Sequence, residues 1–310
     1  MTTMAEQAES VIPAEADLDR APGLLAGANS VKLTPQACNL EYWLGAVAQG
    51  TLRGLVHGGH RAEAVTPAWM REPGPLRQAL IEEFAFRSIA EEKATRALSY
   101  LVLHAPDIDT MEFFATQLID EARHSSVFRG HLLELGVAQD ELSATIEQVA
   151  GEDREKILVP LEHFGLPLGR DAGDFIGGVC VLTVLVEGVL APAAELSELK
   201  WRLLDPAAAE IERAAGIDEI RHLTVGSTVR TQTPPMKSAS YPSGSPKFSS
   251  GTRIFSRSSP ATRSMVAGSS SRATPSSSRW PRKTDECRAS SMSCVAKNSM
   301  VSTSGAYSTR

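Results

Sequence analysis

Cysteine is scarce in this chain: four in 310 residues, Cys38, Cys180, Cys287 and Cys294. None stands in a C-x-x-C pair and the spacings build no dense framework, so a disulfide scaffold is not expected and a reducing cytoplasm is the expected location. The N-terminus has neither the basic start nor the apolar run of a signal peptide; residues 1–20 are acidic instead. Uncharged runs of membrane-spanning length are also wanting. The most apolar stretch, 175–194, contains Glu187 and three glycines, which suit a buried helix better than a bilayer, where a carboxylate is costly.

Acidic residues run out toward the C-terminus. Up to residue 229 the chain has 35 acidic and 18 basic residues; from Arg230 onward it has 2 and 13, which together make the net charge of −6. The last 81 residues include 23 serines and no apolar period, too little to bury a core, so residues 230–310 read as a disordered tail. Two origins compete for it: a basic segment that meets anionic partners, or the product of a shifted reading frame. The loss of acids and helical pattern in mid-element favours the second, in which case this version of the chain is damaged and its activity in question.

The whole chain is 42% apolar, enough for a core, and the periodicity ahead of the tail, where there is one, is helical. Residues 1–35 lack a sustained period and read as a mobile arm. Residues 36–75 read as lead-in helices and loops, broken at Gly58–Gly59 and Pro73–Pro75. A first long helix is expected over 76–102 and a second from Asp109 or Thr110 to Leu135. A crossover with its own helix fills 139–166. A third helix over 173–203, kinked at Pro192, and a fourth opened by Asp205–Pro206 complete a body at 76–229.

Two copies of one motif organise that body, Asp120-Glu-Ala-Arg-His124 and Asp218-Glu-Ile-Arg-His222. Residues three apart share a helix face, so each copy aims a carboxylate and an imidazole at one point. A single E-x-x-H is usually surface charge. Here each copy is preceded by a further glutamate: Glu91 lies 30 residues before Glu121, and Glu187 lies 32 before Glu219. The midpoints fall at Pro106 and Leu203, both in turn-like sequence, so two helical hairpins would bring four carboxylates and two histidines to one level. Glu91 aligns with Ala94 and Leu98 on the apolar face; Glu92 is the alternative.

Such a set suits two hard, redox-active ions, iron or manganese. Glu121 and Glu219 are the expected bridges, His124 and His222 hold one ion each, and Glu91 and Glu187 are terminal ligands. Asp120 and Asp218 are expected to take the second ring N–H of a ligand histidine; Arg123 and Arg221 either neutralise those aspartates or are solvated helix charges. Which helix each aspartate serves is not readable from sequence. His57, His60, His104, His131 and His163 have no such setting and are expected to be ordinary loop or surface residues.

At these six positions the chain resembles the ferritin-like di-iron carboxylate superfamily, over residues 76–229. The run from Ala105 to His124 is similar to VlmB-like proteins of bacterial secondary metabolism. The resemblance implies an all-α, ferritin-like four-helix bundle and an oxygen-dependent oxidoreductase with two Fe (or Mn/Fe) and dioxygen as co-substrate. Phe128 stands where radical-bearing subunits of ribonucleotide reductase have a tyrosine, and Ala215 where arylamine N-oxygenases have a further histidine, so close equivalence to either is not expected.

The leading expectation is an oxygenase or oxidase acting on a small organic molecule. Its substrate cavity should lie beside the metals, covered by the segment before the first long helix. An electron-donor protein and a second copy of the chain are the partners considered; a membrane or nucleic acid is not. The alternatives are a ferroxidase or iron-storage bundle, which needs a cage, and a metal-free helical interaction protein.

Overall fold

A computed structural model describes residues 12–55 and 58–232. The Ser/Arg-rich tail beyond Gln232, the first eleven residues of the arm and His57 lie outside the described residues. Within them the chain is all-α, and no strand occurs.

The lead-in contains α1 (Leu24–Ser30) and α2 (Leu40–Tyr42), the latter running on into a wider π-helical stretch, Trp43–Leu52. Short 3₁₀ turns lie at Ala14–Ala16 and Ala68–Arg71. The expected mobile arm is therefore corrected over its second half. Ala16, Ala21 and Leu24 are buried, and Ala21 and Leu24 pack with Ile217 and Ile220 of the last helix. A short apolar run with little period of its own is ordered by the surface it covers.

Breaker-free sequence makes the longest helix. α3 (Pro75–His104) has proline only at its first position and no glycine, the placement that preserves a helix. After a three-residue bend, α4 (Ile108–Glu134) returns. Its cap is Asp107, whose Oδ1 accepts from Thr110 N at 2.8 Å, and not Asp109 or Thr110 as expected. The chain is already extended at Asp107, directly after Pro106, which is where a capping side chain must sit. At the other end Gly136 takes φ +86°. Val137 N bonds Leu132 O at 3.0 Å and Gly136 N bonds Leu133 O at 2.9 Å, a Schellman stop that only glycine adopts without strain.

α5 (Leu142–Asp153) and α6 (Val159–Leu166) make the crossover, extended by π stretches at Arg154–Leu158 and Pro167–Asp171. The third rod is α7 (Phe175–Val179), a π stretch at Cys180–Leu190 and α8 (Ala193–Trp201). Pro192 has no N–H, so the ladder cannot stay regular there, and Ala191 N instead reaches Val186 O, five residues back, at 2.9 Å. This rod is also long and apolar enough, by length and composition alone, to cross a membrane. α9 (Pro206–Gln232) closes the order, capped by Asp205 Oδ1 on Ala208 N at 3.1 Å.

Two apolar clusters lie on either side of the central polar level. One gathers Leu80, Phe84, Phe128 and Leu132 with Ile211 and Ala215; Phe84 and Phe128 meet edge-on at 4.9 Å between centroids. The other gathers Leu98, Leu101, Phe113 and Phe114 with Val179 and Val225. Each buried aromatic or leucine in them contributes about 1.5–3 kcal/mol, which fixes the register of the rods and hence the height of the polar residues between.

Candidate metal centre

Where the two apolar clusters part, the buried faces of α3, α4, the π stretch at Cys180–Leu190 and α9 carry a concentrated band of polar residues. Glu91, Glu121, His124, Glu187, Glu219 and His222 are all buried there. The neighbouring Glu92 turns outward: its side chain is 45% exposed and pairs with Arg96, whereas that of Glu91 is 11% exposed. One residue is about 100° of rotation on a helix, and that step separates inside from outside.

The six converge as two overlapping groups. Ligand atoms of Glu91, Glu121, His124 and Glu219 lie within 4.8 Å of one another, and so do those of Glu121, Glu187, Glu219 and His222. Glu121 and Glu219 belong to both, so each group could hold one ion and the two carboxylates would span them. His222 Nδ1 lies 3.2 Å from Glu121 Oε1 and 3.1 Å from Glu219 Oε2; His124 Nδ1 lies 3.2 Å from Glu121 Oε2 and 3.9 Å from Glu219 Oε1. In both rings, then, Nδ1 faces the carboxylates.

The aspartates cross over. His124 Nε2 donates to Asp218 Oδ2 at 3.2 Å, and His222 Nε2 to Asp120 Oδ2 at 3.3 Å, so each motif orients the histidine of the other. The arginines follow the same exchange. Arg123 pairs with Asp218, and the buried Arg221 pairs with Asp120 while its Nη1 lies 3.4 Å from Asp218 Oδ1. Trp43 Nε1 also donates to both oxygens of Asp120, at 3.1 and 3.2 Å.

The electrostatics are those of a site with too many acids. Burial pushes Glu91 well above the ordinary carboxylate range, with Glu121 adding to it; burial and then Glu219 do the same to Glu187. Burial also opposes ionisation of Glu121, but bonds to His124 and His222 hold it well below that range. For His124, burial disfavours the imidazolium, yet Asp218 and Glu121 outweigh it and carry the ring to about 10; His222 is likewise held well above its ordinary value against burial, chiefly by Glu219 and Asp120. Glu121 Oε1 is buried, with His222 Nδ1 3.2 Å away. By itself the cluster gathers positive charge as protons; two divalent cations would supply it instead, and the donor set, four carboxylates and two imidazoles with outer N–H groups tied down, fits them.

Several neighbours carry no sequence signal. Gln117 Nε2 donates to Glu187 Oε1 at 2.9 Å, and Arg87 lies 3.6 Å from Glu91 Oε1 and 3.2 Å from the buried Glu212. Trp43 is 77 residues from its aspartate. The expected cavity beside the ligands is not among the two described, one of about 310 Å³ near Ser88, Glu92 and Arg129 and one at Asn39–Gly45 with Glu112; neither is lined by any of the six residues. The lead-in does cover this level, but as packed structure through Trp43.

A second group corrects the expectation for two histidines. His131 is fully buried and, with His60 and Glu134, forms a separate cluster at the far end of α4. Its sequence signal was present as His131-x-x-Glu134, the reverse of the central pattern. Neither a protein-family model nor a curated protein matches the chain.

Proposed function

We propose that this chain is a ferritin-like di-metal oxidoreductase, using two iron ions (or manganese with iron) and dioxygen to oxidise a small organic molecule. The observation that carries this reading is the pair of four-residue groups sharing Glu121 and Glu219, each with one inward Nδ1. When bound, the metal pair supplies activation of dioxygen. The protein's own part is to fix donors and exclude water. Asp218 and Asp120 hold the Nε2 protons of His124 and His222, so the Nδ1 lone pairs stay turned toward the carboxylates. Arg221 pairs with Asp120, and, against burial, the Arg123 charge holds the Asp218 carboxyl well below the ordinary range. The four-helix core around this level keeps bulk water from the donors, since all six are buried.

The test is anaerobic loading of the full chain with Fe(II), metal analysis, and oxygen uptake on exposure to air. Two irons per chain and uptake that disappears in Glu219→Ala are expected. A cage-sized particle that accumulates oxidised iron would turn the reading to storage, and no retained iron or manganese would leave a helical interaction protein.

A further inference from the structure

We infer that His60, His131 and Glu134 form a second, mononuclear site for a zinc-class divalent ion, separate from the central six residues. His131 and Glu134 stand one turn apart at the end of α4, and His60 comes from the lead-in loop. His131 Nδ1 lies 3.1 Å from Glu134 Oε2, and His60 Nε2 lies 3.2 and 3.3 Å from Glu134 Oε1 and Oε2. Donors bound to zinc at about 2.0–2.2 Å in a tetrahedron stand about 3.3 Å apart, so the spacing is that of ligands around an ion.

The outer contacts choose the tautomers. His60 Nδ1 lies 2.9 Å from Arg61 O, a pure acceptor, so Nδ1 carries the proton. His131 Nε2 lies 3.2 Å from Asp205 Oδ2, and Asp205 Oδ1 is occupied by Ala208 N and Thr66 Oγ1. With those protons placed, the inward nitrogens of both neutral rings and the Glu134 carboxylate are three acceptors facing one another. Two further protons, solvent or one cation can fill that space. A carboxylate and a backbone carbonyl on the outer nitrogens are the supports that ligand histidines ordinarily have.

His60 is held in place by its neighbours. Gly59 has φ +75°, and a Cβ there would meet Val127 at 2.8 Å, so the loop lies directly against α4. Arg61 N and Nε bond Glu210 of α9 at 2.8 and 2.9 Å. The third ligand is thus delivered by a loop fixed on both sides. The side chains of His60 and Glu134 are 15% and 33% exposed, leaving a fourth, solvent-facing position for water. An ion there would pin the lead-in loop to the ends of α4 and α9.

Zinc and cobalt titrations of the full chain test this. The wild type should bind one more Zn(II) per chain than His60→Ala or Glu134→Gln, with the affinity of that ion falling more than about 100-fold in either variant, beyond the 10–100-fold loss of an outer-shell change. Glu219→Ala, in the central cluster, should keep this ion. Co(II) there should give the intense visible bands of a four-coordinate site. Zinc should raise the melting temperature of the wild type by more than that of His60→Ala, which keeps the central cluster and whose loop position spares the core. Equal zinc stoichiometry in wild type and His60→Ala, or equal zinc-induced melting shifts, overturns the proposal and leaves a protonated histidine–carboxylate network.

Discussion

In the proposed di-metal reading, the central cluster has two halves with the same kinds of ligand and different surroundings. Around Glu91 and His124 the terminal carboxylate faces a cation, Arg87, itself held by the buried Glu212. Around Glu187 and His222 the terminal carboxylate accepts from a neutral amide, Gln117. The backbones differ too: Glu91 rides a regular α-helix, while Glu187 sits in a π stretch before Pro192, and π turns are frequent at functional sites. A guanidinium beside one carboxylate repels a divalent ion there. The two positions are therefore inequivalent, with tighter binding expected at Glu187 and His222.

Removing what the halves share should have the largest effect. Glu121→Ala or Glu219→Ala should lose both ions and all oxygen uptake, as should His124→Ala for uptake; Glu187→Ala should lose the tighter ion and Glu91→Ala only the weaker, all read by stepwise metal titration. Identical stoichiometries in the four glutamate variants would erase the distinction between shared and terminal ligands. Next come the partners that differ. Arg87→Leu strands a buried carboxylate and should cost about 3–5 kcal/mol in urea unfolding, against about 1–3 kcal/mol for Gln117→Leu, which leaves one acceptor unpaired; equal costs would show that charge does not distinguish the halves.

A pH profile sharpens the same contrast. Burial lifts Glu212 to about 6, against the pull of Arg87, from an ordinary 4.5. The folded state then binds the proton more tightly, so this stabilisation is complete below pH 4.5 and is lost as pH rises through 6, about 2 kcal/mol in all. Metal-free Glu212→Gln should flatten that window; an unchanged slope would assign it elsewhere. The smallest effect should be Glu112→Ala, whose carboxylate accepts from Leu40 N at 3.2 Å and touches no central residue: oxygen uptake should match the wild type.

Much of this architecture could be read before any coordinates. Glu91, Glu121, Glu187 and Glu219 come level because the bends fall between α3 and α4 and between α8 and α9, where the midpoints Pro106 and Leu203 lie. That is arithmetic on helix length, and it needs no side-chain detail. What escaped was non-local. Trp43 over Asp120, Arg87 toward Glu212 and the loop that brings His60 to His131 join residues with no shared period. The order in the second half of the N-terminal arm comes from α9 and leaves no period in the arm's own residues. For His131 the sequence shows only Glu134, one turn on; its other partners come from a separate loop and from the cap of another helix.

The crossed aspartates bear on how such a centre can be assembled at all. Each imidazole is steadied by an acid lent from the opposite repeat, so neither hairpin holds a finished half in isolation. A fragment with a single D-E-x-R-H would have a loosely aimed ring until a sibling chain lent it the missing acid, and the two repeats are therefore bound to succeed or fail together.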